Sequence, residues 1–331
     1  MFFNILILVA GLVTILVAAH LFTNGVEWLG KRLNLSEGAV GSVLAAVGTA
    51  LPETMVPVIA ILFGPAGTAH EVGIGAILGA PFMLSTLAFA VVGLSKLICC
   101  RAEEDKRLRV NRTILVRDLR YFLGFYSLAL VAAFIPSRAV NISIALILAG
   151  GYAYYVKKTF GCGEEQGECE VPPLILWRKS PAAPLPVILV QVGVSLGLIA
   201  AGAHFFVDSI SHLADRAMVP ALLLSLIITP VATELPEKFN SVVWVRGGKD
   251  TLAVGNITGA MVFQSTIIPA LGIAFTPWKL TFLAALSAGL AILSSVFVLF
   301  FALRGKDIKA SVMLYPAAIY GIFVLLVLSS F

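Results

Sequence analysis

The chain has 331 residues, 59% of them hydrophobic and only 12% charged, with a formal net charge of +5. An ordinary soluble domain carries about 25% charged residues, too many more for this chain to be one. Soluble enzymes, secreted disulfide scaffolds and disordered regulators are thereby excluded, and an all-α polytopic membrane protein remains.

A membrane span needs about 20 apolar residues. Ten are expected, at 2–23, 36–63, 72–97, 118–135, 139–157, 184–209, 218–245, 252–274, 279–303 and 309–330. The first has no Lys or Arg ahead of it, which predicts a retained spanning helix rather than a cleaved signal peptide. The fourth is crowded at its start by Arg117 and Arg120.

Basic residues gather in the odd-numbered loops: Lys31 and Arg32 in the first, a dense run from Lys96 to Arg120 in the third, and Lys157, Lys158, Arg178 and Lys179 in the fifth. The seventh holds Arg246 and Lys249, and the ninth Arg304, Lys306 and Lys309, whereas the even loops hold only Arg138, Arg216 and Lys279. By the positive-inside rule the odd loops face the cytoplasm and both termini lie outside. Basic residues confined to such loops imply no nucleic-acid partner. Cys99, Cys100, Cys162 and Cys169 form no zinc or redox motif and are expected as free thiols.

The sequence also repeats itself. Residues 18–53 displaced by 184 positions fall on 202–237 without a gap, with identities at Ala19/Ala203, His20/His204, Phe22/Phe206, Leu29/Leu213, Arg32/Arg216, Val47/Val231, Thr49/Thr233, Leu51/Leu235, Pro52/Pro236 and Glu53/Glu237. A second echo sets Gly75-Ala-Ile-Leu-Gly79-Ala80 against Gly255-Asn-Ile-Thr-Gly259-Ala260. Five spans per half is an odd number, so the second half enters the membrane from the opposite side. The expected organisation is two five-helix inverted-topology repeats, 1–157 and 184–331, joined by a cytoplasmic loop at 158–183. Such repeats commonly hold their cargo at the midplane, where discontinuous helices meet.

The duplicated Thr-x-Leu-Pro-Glu suits a hard cation. Thr49 and Glu53 lie four apart on one helical face, as do Thr233 and Glu237. Pro52 and Pro236 lack an N–H, which should free carbonyl oxygens around 46–49 and 230–233. Carboxylates, hydroxyls and freed carbonyls form the all-oxygen set that Ca²⁺ takes. Two acids at helix centres cost about 5–7 kcal/mol on insertion scales, a cost that structural glue would not require.

Other duplicated or unusual residues have two readings. The hydroxyls of Thr49 and Thr233 can instead bond back to their own helix. Glu234, opposite Ala50 in the first half, is either a third ligand or the partner of Lys238 four residues on. His20 and His204 are expected in packing or interfacial positions. Gly75/Gly79 and Gly255/Gly259 are expected as close-packing pairs around the site.

Gly48-Thr-Ala-Leu-Pro-Glu53 and Ala232-Thr-Glu-Leu-Pro-Glu237, with Gly255-Asn-Ile-Thr-Gly-Ala260, resemble the two alpha repeats of the cation/Ca²⁺ exchanger superfamily, and most of all its prokaryotic sodium/calcium exchanger branch. The resemblance implies Glu53 and Glu237 as central Ca²⁺ ligands, aided by the oxygens of Thr49 and Thr233. The family's Gly-Ser-Asn-Ile-Phe-Asn/Asp reads here Gly79-Ala-Pro-Phe-Met-Leu84 and Gly259-Ala-Met-Val-Phe-Gln264. By that resemblance the positions the family uses for sodium are replaced at Ala50, Ala80, Leu84, Ala260 and Gln264, with Glu234 standing where the second motif has its Ser. Gln264 stays in the candidate ligand set with Thr49, Glu53, Thr233, Glu234 and Glu237.

The function expected is antiport of Ca²⁺ against Na⁺ or H⁺ by alternating access, in the inner membrane of a prokaryotic cell. The partners are those ions and the lipid bilayer, with no resident cofactor and no obligate protein partner. An uncoupled divalent-cation channel, or an exchanger of another cation, is the alternative. An intramembrane hydrolase would need Arg or His beside the acids, and the only basic residue in the second, third, seventh and eighth spans away from their ends is Lys238.

Overall fold

The computed structural model describes residues 2–32, 51–64, 67–99, 106–161, 173–177, 183–218, 220–305 and 307–329. In the first half, α1 is Phe2–Arg32, α2 Leu51–Leu62, α3 Thr68–Met83, a π-helical turn Leu84–Ala88, α4 Phe89–Cys99, α5 Arg112–Ala132 and α6 Arg138–Gly161. In the second, α7 is Leu185–Ala217, α8 Ala221–Thr233, α9 Leu235–Arg246, α10 Asp250–Gln264, α11 Ile267–Phe275, α12 Phe282–Arg304 and α13 Tyr315–Ser329, the last preceded by a 3₁₀ turn, Ala310–Leu314. A two-residue ladder pairs β1, Arg107–Leu108, antiparallel to β2, Ile308–Lys309.

Local chemistry sets the helix ends. Asn111 caps α5, its side chain accepting from the N–H groups of Thr113 and Ile114 at 3.0 and 3.3 Å. Thr281 caps α12 by accepting from Ala284 N–H at 3.3 Å. Pro184 and Pro220 precede α7 and α8, and α7 ends on Met218 in the left-handed region, φ 54°.

Seven stretches among the described residues are long and apolar enough to cross a membrane: Asn4–Val26, Thr68–Cys99, Arg138–Thr159, Leu185–Arg216, Asp250–Phe275, Phe282–Arg304 and Ala310–Val327. The remaining expected spans differ from these for physical reasons. The segment expected at 118–135 is α5, which begins at Arg112 and so takes Arg117, Asp118 and Arg120 into the helix. The segment expected at 218–245 is two short helices, broken at Glu234. Of the segment expected at 36–63, only the part from Leu51 is described.

Burial separates centre from periphery. The second apolar stretch, α3 through α4, is 83% buried in its most apolar window, against 28% for α7. α1 and α7 lie along each other at the edge, where a Cβ on Gly11 would meet Gly202 O at 3.0 Å and one on Gly202 would meet Gly11 O at 2.9 Å. α3 packs on α2, α8 and α12, and α10 packs on α5 and α9.

Candidate cation site

The break between α8 and α9 is encoded at Thr233-Glu-Leu-Pro236. Pro236 offers no N–H to the carbonyl four residues back, and Glu234 takes φ −87°, ψ 8°, closing one helix and opening the next. In the second half Pro236 frees fewer carbonyls than the sequence suggests, because Pro230 O accepts from Glu234 N–H at 3.0 Å, while residues 46–49 lie outside the described ones. Thr233 is fully buried and its hydroxyl donates to Thr229 O at 2.9 Å. Back-bonding spends the hydroxyl proton and leaves the oxygen lone pairs to accept.

Thr233 is the last step of a buried hydroxyl stripe along α8. Ser225 Oγ donates to Val72 O at 2.7 Å and lies 3.0 Å from Thr229 Oγ1. Ser225, Thr229 and Thr233 therefore share one face, four residues apart, and end at Glu234. Sequence reading missed this stripe, although Ser225-x₃-Thr229-x₃-Thr233 was a visible signal. The first half has Gly41 and Ala45 at the corresponding positions.

The stripe faces α3 closely because α3 carries glycines there. A Cβ on Gly75 would overlap the carbonyl oxygen of Leu222, and one on Gly79 that of Leu226. The expected packing role of Gly75 and Gly79 is thus seen directly. At Gly255 no described atom lies within 4 Å of such a Cβ, and at Gly259 only Tyr155 Oη does, at 3.9 Å.

The apolar stretches Thr68–Cys99 and Asp250–Phe275 are interrupted at places that correspond in the second sequence echo. The π-helical turn in the former opens at Leu84-Ser85-Thr86, and α10 stops before α11 at Gln264-Ser265-Thr266. In both, the hydroxyls bond back: Ser85 to Phe82 O at 3.0 Å and Ser265 to Val262 O at 2.9 Å, with Thr86 and Thr266 reaching the same carbonyls. Ser294 of α12 also donates to Ser85 O. The duplicated Ser-Thr was a second unused signal, since π turns recur at functional sites. Gln264 is 2% exposed, and its Oε1 has no hydrogen-bond partner among the described residues.

Glu53 lies on α2 with 4% exposure, and α2 packs on α3, α8 and α11. Glu234 is fully buried, and Lys238 Nζ donates to its Oε2 at 3.3 Å. Glu237 belongs to the first turn of α9, but its side chain falls outside the described part, as does the whole of Thr49. Among the described residues no three His, Cys, Asp or Glu side chains converge as a metal site. His20 and His204 are both exposed. Cys99 is an exposed free thiol, and the other three cysteines lie outside the described residues.

Two further ion pairs, one half-buried and one buried, tie neighbouring helices together. Asp118 accepts from Arg117, from Tyr155 Oη at 3.2 Å and from Thr258 Oγ1 at 2.9 Å, tying α5 and α6 to α10. Lys96 Nζ lies 2.8 Å from Asp250 Oδ2, which also accepts from Arg109 N–H at 3.0 Å.

A broken, oxygen-lined helix next to buried carboxylates can hold a dehydrated cation. The family model for sodium/calcium exchanger protein matches residues 3–158 and 187–329. The chain belongs to this family. Exchangers of the family are membrane transporters rather than enzymes. The chain is similar to the inner membrane protein YrbG of Escherichia coli (strain K12), 25% identical over 283 residues, covering 84% of this chain and 82% of that one. In fold it is similar to the H⁺/Ca²⁺ exchanger CAX, with TM-score 0.75 and 16% identity over 98% of this chain and 87% of that one. It is similar also to the sodium-calcium exchanger NCX_Mj, with TM-score 0.61 and 20% identity, covering 97% of each chain.

Proposed function

We propose that this exchanger is a secondary active antiporter that moves Ca²⁺ in one direction and Na⁺ or H⁺ in the other, by alternating access. The observation that carries the reading is the break at Glu234, where two half-helices meet among buried carboxylates inside a cation-exchanger fold. Glu53 and Glu237 are the central pair of ligands, with the oxygens of Thr49 and Thr233 and the Gln264 amide completing the set. Exchange follows from electrostatics: a site of paired carboxylates in low dielectric resists crossing empty and ionised, so each half-cycle needs a cation. The fold does not select the counter-ion, since it resembles both an H⁺ and a Na⁺ exchanger.

Ten spans in two inverted repeats, 1–157 and 184–331 about a linker at 158–183, account for several independent pairings. Segments bordering the odd-numbered loops meet one another, through β1 with β2, Lys96 with Asp250, and Asn24 with Gln191. Those bordering even loops do likewise: Arg138 bonds to the carbonyls of Ile273 and Thr276, and Trp278 Nε1 donates to Ala129 O. Packing pairs also exchange under the repeat, α3 with α12 answering α10 with α5, and α5 with α6 answering α12 with α13. The two segments matched by the family model, 3–158 and 187–329, divide the chain near the same linker. Both termini then lie outside, and a bacterial relative named as an inner membrane protein supports that membrane.

The test is ⁴⁵Ca²⁺ uptake into proteoliposomes with an outward Na⁺ gradient, an outward H⁺ gradient, or neither. Uptake driven by one gradient and lost in Glu53→Gln and Glu237→Gln is the expected result. Uptake indifferent to both gradients would make the protein a channel or uniporter and overturn antiport.

A further inference from the structure

Glu234 and Lys238 lie inside the membrane-spanning bundle as an ion pair, Nζ to Oε2 3.3 Å, with side chains 10% and 0% exposed for Lys and Glu. Nζ also lies 3.4 Å from Met83 Sδ, the last residue of α3 before the π-helical turn. The ammonium therefore reaches across from α9 to the interruption of the third span. Neither member of the pair exists in the first half, where the positions displaced by 184 are Ala50 and Thr54. Acid and base appear together, in one repeat only. The two Thr-x-Leu-Pro-Glu segments thus carry the same formal charge, minus one: Glu53 in the first, and Glu234, Glu237 and Lys238 together in the second.

We propose that Lys238 is a tethered monovalent cation, permanently filling the place beside Glu234 that a mobile ion would otherwise occupy. The inference rests on the antiport reading and deepens it to a stoichiometry. With Lys238 bound in place, the mobile charge of the site is two, so one Ca²⁺ exchanges for two monovalent ions without net charge movement. Removing the lysine leaves three acids, and a third monovalent ion must enter in the half-cycle without Ca²⁺. A buried charge that loses its partner is costly, so the vacated place draws that ion strongly.

The experiment measures ⁴⁵Ca²⁺ uptake in proteoliposomes, driven by whichever of Na⁺ or H⁺ drives the wild type. The membrane potential is set with potassium and valinomycin, and each rate is normalised to its own value at zero potential. Wild-type uptake is expected to change less than about twofold with potential, because no net charge crosses, whereas Lys238→Met changes on the order of tenfold. Glu234→Gln combined with Lys238→Met removes acid and base together and returns the potential dependence to the wild-type level. Loss of all uptake in Lys238→Met with its recovery in the double variant also supports the pair. Strong potential dependence in the wild type, a wild-type response in Lys238→Met, or loss of uptake in a folded double variant overturns the tethered cation. Uptake by the wild type that ignores both ion gradients instead overturns the antiport reading beneath it.

Discussion

At the scale of single residues, the chemistry of the site is carried by groups that are expensive to bury. Glu53 and Glu234 are nearly or fully buried, and each acid at a helix centre costs about 2.5–3.5 kcal/mol on insertion scales. In the proposed site, neutralising Glu53 to Gln preserves shape and removes one charge from the bound cation. Ca²⁺ uptake is therefore expected to fall by on the order of tenfold or more, with the melting temperature in detergent unchanged or raised, since desolvation is relieved. Asp118 is a different kind of buried acid. It holds Arg117, Tyr155 and Thr258 together, so Asp118→Asn leaves the guanidinium short of its anion. That change should destabilise the protein by about 1–3 kcal/mol, seen as a drop in the thermal transition.

At the scale of elements, helix interruptions and close helix contacts position the site. α3 can approach α8 only because Gly75 and Gly79 present no side chain to the carbonyls of Leu222 and Leu226. Gly79→Ala forces a methyl group into backbone and should cost about 1–3 kcal/mol. Gly124→Ala, on the exposed face of α5 with no described atom within 4 Å of the new carbon, should be neutral or stabilising by up to about 1 kcal/mol, as helix propensity dictates. Thermal melts of the two purified variants check the contrast. The π-helical turn depends on Ser294, whose hydroxyl donates to Ser85 O from α12. Ser294→Ala removes that donor from a fully buried carbonyl and should cost about 1–3 kcal/mol, with Ca²⁺ uptake lowered as the turn relaxes.

At the scale of the whole molecule, the decisive property is which loops share a side of the membrane. Arg107 and Lys309 face each other in the β1–β2 ladder, though some 200 residues separate them in sequence. Cross-strand neighbours lie within the Cα separations a disulfide accepts. In a background without other cysteines, Arg107→Cys with Lys309→Cys should oxidise to an internally cross-linked monomer of altered gel mobility. Arg107→Cys with Ser137→Cys should not, because the proposed topology puts Ser137 in the fourth loop, on the opposite face. A membrane-impermeant maleimide should label position 309 from the cytoplasmic side only, and labelling from outside would reverse the proposed orientation.

Hydropathy and duplication are properties of the chain, so membrane character, the repeat and the paired Thr-x-Leu-Pro-Glu motifs are legible without a structure. The family follows from the same residues, because the motif is short, polar and embedded in apolar spans. The places where spans break are less legible: Ser85-Thr86 and Ser265-Thr266 read as short hydroxyl pairs within apolar runs, and only backbone geometry shows the helix interrupted there. The hydroxyl stripe of Ser225, Thr229 and Thr233 escaped notice for a related reason. Isolated hydroxyls in an apolar run read as self-bonded residues until a facing helix gives them a common direction. Glu234 left two readings open in the sequence, ligand or partner of Lys238, since a spacing of four allows the pair without requiring it. The fold forms the pair, with Lys238 Nζ 3.3 Å from Glu234 Oε2 and 3.4 Å from Met83 Sδ, a residue 155 positions away in sequence. Sequence alone thus determined what kind of groups meet in this membrane, because composition and spacing are local. Tertiary packing alone decided which of them touch, because contact in a helical bundle depends on how closely the helices can approach.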